Sequence, residues 1–207
     1  GNPMWEKFFF PKFTRDAVRE RLGISEGVKV VLCPGGKDAA INILHFTRAV
    51  EEFPCAHSKT VVILSLHGGD KTDPLVYTTL KDYAPLGVIV KIIPSKEMSG
   101  SDILPGVDLV YASASTFEIE AVCQRIPVAS YISSIARRRL RKTTGNDVWE
   151  LTEQGVSFNV EDYGTCNPAR LLAGMTDYRT KYEELYPKPE KLGVALDKMV
   201  TAIEAKI

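Results

Sequence analysis

Short, nearly unbroken apolar runs alternate along the chain with longer stretches in which apolar positions return every three or four residues. The runs are Val28–Cys33, Thr60–Leu66, Val88–Ile93, Asp108–Ala112, Pro127–Ile132 and Val156–Val160. They are rich in β-branched residues and bounded by Gly or Pro, the pattern of strands covered on both faces. Asp38–Phe53 carries Ile41, Leu44, His45/Phe46 and Ala49/Val50 at helical spacing. Leu75–Tyr83, a short piece before Asp108, Thr116–Ile126 and Asp147–Gln154 also read as helices. Two more close the chain, the last from about Pro189 with Leu192, Ala195, Leu196, Met199 and Ile203 on one face. Strands alternating with helices predict an α/β fold: a single doubly wound, Rossmann-like domain with about six parallel strands and a C-terminal helix pair. That domain is expected over residues 15–207. Residues 1–14 stand apart as a tag scar, Gly1-Asn2-Pro3, and an aromatic lead-in with Trp5, Phe8, Phe9, Phe10 and Phe13.

Composition narrows the function. The 207 residues are 44% hydrophobic, which excludes a disordered chain. Lys+Arg and Asp+Glu are 26 each, and a neutral balance argues against a nucleic-acid partner. No run approaches the length of a membrane span, and no secretory pattern opens the chain. Cys33, Cys55, Cys123 and Cys166 form no CxxC pair. Cys33 and Cys123 lie in apolar runs, as small buried hydrophobes do in a reducing, cytoplasmic compartment. With no His/Cys cluster and no Asp-x-Asp, neither a metal nor a cofactor is expected.

In doubly wound folds ligands sit beyond the carboxyl ends of the strands, at the reversal of strand order. Gly35 and Gly36, between a strand and a helix, would let backbone amides approach an anion, with Lys37 adding charge. An equally open reading is a tight turn capped by Asp38. After the fourth strand come Ser113, Ser115 and Thr116, hydroxyls that can cap a helix or donate to phosphate. Glu120, one turn beyond Thr116, can accept a ribose hydroxyl pair; the other open reading is a capping box, with Ser115 or Thr116 paired to Glu118 or Glu120. His67, at a strand end, is a candidate acid, base or phosphate donor, whereas His45, on the patterned helix, reads as packed or surface. Arg137, Arg138, Arg139, Arg141 and Lys142 form a basic tract that meets an anion or membrane surface, or is a solvated face. Three consecutive arginines cannot all face one ligand on a helix.

Several of these residues resemble a known family. Thr14–Gly23, Val28–Lys37, the hydroxyl-rich junction with Glu120-Ala121 and Pro127-Val128, and the tract Ala136–Lys142 are similar to the C-terminal, nucleotide-sugar-binding domain of GT-B glycosyltransferases. The likeness is strongest to lipid-A-disaccharide synthase, whose Pro-Gly-Ser-Arg loop parallels Pro34-Gly35-Gly36-Lys37. It extends to the peptidoglycan N-acetylglucosaminyltransferase and to UDP-GlcNAc 2-epimerases. One departure is that Ala114 and Ser115 stand where the family has Gly. The resemblance implies the donor half of a metal-independent transferase. UDP-sugar is its substrate, Gly35, Gly36, Lys37, Ser113, Ser115 and Thr116 hold the diphosphate, and Glu120 holds the ribose. His67 and Arg137 complete the candidate set. The family's acceptor-binding N-terminal half is not in this sequence, so the expected partners are such a domain, a partner chain or a second copy. Membrane contact is at most peripheral. The alternatives are an epimerase-like enzyme and a non-catalytic nucleotide-binding or dimerisation module.

Overall fold

The computed structural model describes residues 3–52, 59–160 and 175–204. Its strands are β1 (Lys29–Pro34), β2 (Thr60–Leu66), β3 (Val88–Pro94), β4 (Leu109–Ala112), β5 (Val128–Tyr131) and β6 (Phe158–Val160). They form one parallel sheet in the order β3-β2-β1-β4-β5-β6. The order reverses between β1 and β4, so the connections that follow these two strands leave toward opposite faces and part to open a crevice.

Successive strand residues point to opposite faces, so each strand feeds two cores. Val30, Leu32, Val61, Ile63, Val110 and Ala112 face α2 (Arg15–Arg21), α5 (Gly100–Ile103), α6 (Thr116–Cys123) and α8 (Glu150–Glu153). Val31, Cys33, Val62, Leu64 and Tyr111 face α3 (Ala39–Glu52) and α4 (Pro74–Asp82). A third cluster joins Ile41 of α3 to Ile132 and to Ala136 of α7 (Ser134–Thr144). This bridge fixes the basic helix over the strand reversal. Cys33 and Cys123 are buried, and burial pushes the Cys123 thiol up to about 12.

Strand positions match the apolar runs closely, and helix ends differ more. α6 stops at Cys123, short of Ile126, because Arg125 takes the left-handed conformation (φ 62) and turns the chain into β5. Only Glu150–Glu153 of the expected 147–154 helix forms. Asp147 is held by Arg141 instead, and Trp149 turns inward. Phe53, Cys55, His57 and Cys166 lie outside the described residues.

The lead-in is docked onto the domain. It forms α1 (Pro3–Glu6) and a tight turn over Lys7–Phe9; Phe9 is buried, and Trp5, Phe8, Phe10 and Phe13 pack on the first core. α9 (Met175–Leu185) adds Tyr182 to the same core. The buried Glu6 carboxylate accepts hydrogen bonds from the Gly193 and Ala195 amides and so caps α10 (Val194–Glu204). Of the stripe on α10, Ala195 is buried, whereas Leu192, Leu196 and Met199 are exposed.

Candidate functional site

β1 and β4 end side by side, and beyond them lies a crevice of about 330 Å³. The β1–α3 loop, the β4–α6 loop and α7 form its walls, with Lys37, Asp38, His45, Ser113, Thr116 and Arg139 among the lining residues. A larger hollow of about 790 Å³ opens beside Lys29 and Pro127, at the amino ends of the strands. Ligands of this architecture bind at the opposite, carboxyl end, so the smaller crevice is the candidate site.

The loop beyond β1 is held by its own protein. Gly35 donates to the Ser65 carbonyl at 2.8 Å. A Cβ at Gly35 would lie 3.0 Å from that carbonyl and 3.2 Å from the Phe46 ring. Packing alone therefore accounts for this glycine. Gly36 donates its amide to Asn42 Oδ1 (2.8 Å), and Asn42 Nδ2 donates back to the Gly36 carbonyl (2.8 Å). The Asn42 amide also donates to Asp70 (3.1 Å), which accepts from the Tyr77 hydroxyl and from Thr72. Burial raises the Asp70 carboxyl, but the bonds from Thr72 and Tyr77 outweigh it and hold the group below its ordinary value. Asp38 caps α3 by accepting from the Ala40 and Ile41 amides. The glycine amides expected to meet an anion are thus engaged inside the loop. Positive charge at the mouth comes from side chains: exposed Lys37, and Arg139, whose guanidinium lies 3.6 Å from Asp38.

The loop beyond β4 is closed by the capping box that was one of its two open readings. Ser115 accepts from the Phe117 amide, and Glu118 accepts from the Ser115 amide at 3.0 Å. Glu118 is fully buried and also accepts from the Ser130 hydroxyl and from Trp149 Nε1 (2.8 Å). Ser157 stands 2.9 Å from both Ser130 and Thr152 and extends this polar chain toward α8. Burial pushes Glu118 up to about 7 against the pull of those donors. Ala114 adopts φ 49, the left-handed region that favours glycine. That is where the sequence departs from the family it resembles.

Five of the nine expected site residues, Gly36, Lys37, Ser113, Ser115 and Thr116, line this crevice, and Gly35 lies between the lining residues Pro34 and Gly36, packed on Ser65 and Phe46. Three stand elsewhere. Glu120 lies on the α5 side of α6, 8% exposed, where Ser101 donates to it at 2.9 Å; burial raises its carboxyl. His67 is exposed and accepts from the Gly69 amide through Nδ1 (2.8 Å), closing its own turn. Arg137 is exposed and not among the residues that line the crevice, and Arg139, two residues on, lines it instead. Asn42 and Asp70 carry no sequence motif, and His45, read as packed or surface, lines the crevice from beneath. Among the described residues, no group of three His, Cys, Asp or Glu is placed to hold a metal ion. No helix among them is long and apolar enough to cross a membrane.

No family model matches the sequence, and neither does any curated protein. Solved structures do match. MurG from Acinetobacter baumannii superposes with a TM-score of 0.57 at 15% identity, over 94% of this chain and 55% of that one. Sucrose-phosphate synthase from Thermosynechococcus elongatus gives 0.55 at 14%, over 98% and 51%. WaaG, a glycosyltransferase involved in lipopolysaccharide biosynthesis, gives 0.54 at 11%, over 89% and 49%. The fold is the one these glycosyltransferases share. The chain spans about half the length of each of these proteins.

Proposed function

We propose that this chain is the donor-binding domain of a GT-B glycosyltransferase and takes a UDP-sugar at the crevice between β1 and β4. The observation that carries the reading is the convergence there of Lys37 and Arg139 with the Ser113 and Thr116 hydroxyls, at the starts of α3 and α6. Two cations and the aligned peptide dipoles of two helix starts suit a diphosphate. The likeness of Pro34–Lys37 to the loop of lipid-A-disaccharide synthase supports UDP as the nucleotide. The nucleotide crosses the start of α6, so that its ribose reaches Glu120 on the far side. Electrostatic stabilisation of departing UDP then rests on side chains rather than on glycine amides. Transfer needs an acceptor-binding half, supplied by a further domain, a partner chain or a second copy. The buried thiols fit a cytoplasmic setting.

The test is calorimetric titration with UDP, with pyrophosphate as the reference ligand and with EDTA or Mg²⁺ present. UDP is expected to bind and to bind equally in either medium. Glu120→Ala should weaken UDP more than pyrophosphate. UDP that binds no better than pyrophosphate overturns the reading.

A further inference from the structure

Lys37 and Arg139 stand at the mouth of the crevice, and its inner wall is of a different character. His45 is 1% exposed and lines the crevice, and neither ring nitrogen makes a well-formed hydrogen bond, although the Tyr111 and Ile41 backbone groups lie close to the ring. Ser113 Oγ, on the same wall, is buried and likewise unmatched. The ring cannot swing to solvent: it stacks on Tyr111 (centroids 6.2 Å apart, planes 24°) and lies 4.5 Å from the Phe46 ring. Burial holds the imidazole down to about 4, so it is neutral at neutral pH, with one N–H donor and one bare acceptor nitrogen. The Tyr111 and Ile41 backbone groups act on its titration in the direction of carbonyl acceptors. Carbonyls accept only, and a neutral ring has a single proton to give. At least one ring nitrogen therefore faces no donor, a costly state in a protein interior unless a ligand or water supplies one.

A diphosphate cannot supply it, because at neutral pH its oxygens carry no proton to donate. An alcohol both donates and accepts. We propose that His45 and Ser113 form the subsite for a hydroxyl of the sugar carried on the diphosphate. The sugar O–H donates to the bare imidazole nitrogen, and Ser113 Oγ completes the pair. This rests on the nucleotide-sugar reading and deepens it. The mouth takes charge without regard to the sugar, and the inner wall selects a ligand that has one.

The experiment compares the affinities of UDP, UDP-glucose and UDP-N-acetylglucosamine for the wild type, His45→Leu and Ser113→Ala by calorimetry. The wild type is expected to bind at least one of the two UDP-sugars more tightly than UDP. His45→Leu should weaken that UDP-sugar about tenfold while leaving UDP within about twofold, the signature of one lost hydrogen bond to a matched group. Ser113→Ala should act in the same direction, less strongly. His45→Leu removes a buried unmatched nitrogen, so its thermal midpoint should equal or exceed that of the wild type, which separates lost binding from lost folding. On the unaltered protein, the His45 ring nitrogen resonances should move with the UDP-sugar and stay in place with UDP. Equal weakening of UDP and UDP-sugar by His45→Leu, or resonances that ignore the sugar, overturn the subsite and leave the nucleotide reading standing. A wild type that binds no UDP removes both.

Discussion

The two loops that flank the crevice close themselves in the same manner and with opposite chemistry. In each, a side chain from the early turns of the following helix reaches back to the loop amides. Beyond β1 that side chain is Asn42, neutral, and it is steadied by an Asp70 carboxylate that is only partly buried. Beyond β4 it is Glu118, a fully buried carboxylate with donors from Ser115, Ser130 and Trp149. A neutral amide costs little to bury once both of its ends are bonded, whereas a carboxylate must recover the loss of its hydration. The first loop is therefore indifferent to pH near neutrality, and the second is poised to respond to it. The same helix-start architecture thus gives one rigid wall and one that a proton can loosen or tighten.

The largest test of this contrast is a pH series on Glu118→Gln. Folding raises Glu118 from 4.5 to about 7. Between those values the folded chain holds a proton that the unfolded chain has released, so stability falls as pH rises and levels off above 7. At about 1.4 kcal/mol per pH unit, the wild type should lose roughly 3 kcal/mol relative to Glu118→Gln across that window, as read by urea denaturation. Asn42→Ala should cost about 2 kcal/mol by leaving both polar groups of Gly36 unmatched, and that cost should stay flat from about pH 5 to 8. A slope for Asn42→Ala as steep as that for Glu118→Gln breaks the comparison. Asp38→Asn keeps the cap on α3 and frees Arg139. It should tighten UDP by about fivefold, a gain that shrinks in high salt. A smaller effect sharpens the picture of the second loop: Ala114→Gly should stabilise by about 0.5 kcal/mol, the left-handed strain on alanine slightly exceeding the entropy cost of glycine.

Much of the architecture was legible in the sequence because it rests on local patterns. The β-branched runs marked all six strands, and the turn residues after β1 and β4 led to the crevice. What stayed hidden depends on distant partners. Asn42 matters because it bonds Gly36 and Asp70, and nothing beside Asn42 in the chain announces Asp70. His45 became an interior wall residue only because Tyr111 and Phe46 enclose it. On the basic tract, helical geometry predicted that the arginines would diverge, but only the docking of Ala136 against Ile41 decided that Arg139 turns inward. Glu120 sat at the spacing of a ribose ligand, and the structure puts it beside Ser101 across α6 from the crevice. Spacing gives the face of a helix, and only tertiary packing says what that face meets.

The Glu6 cap on α10 ties together points 187 residues apart in the chain. At synthesis rates of about 5–20 residues per second, Glu6 leaves the ribosome roughly 10–40 s before the amides it will hold. The parallel sheet can assemble throughout that interval, while the aromatic segment beside Glu6 has no final anchor. Until then that segment is an exposed apolar stretch for which a chaperone and the domain's own core compete. Sealing of the fold is timed by the arrival of α10 rather than by the sheet.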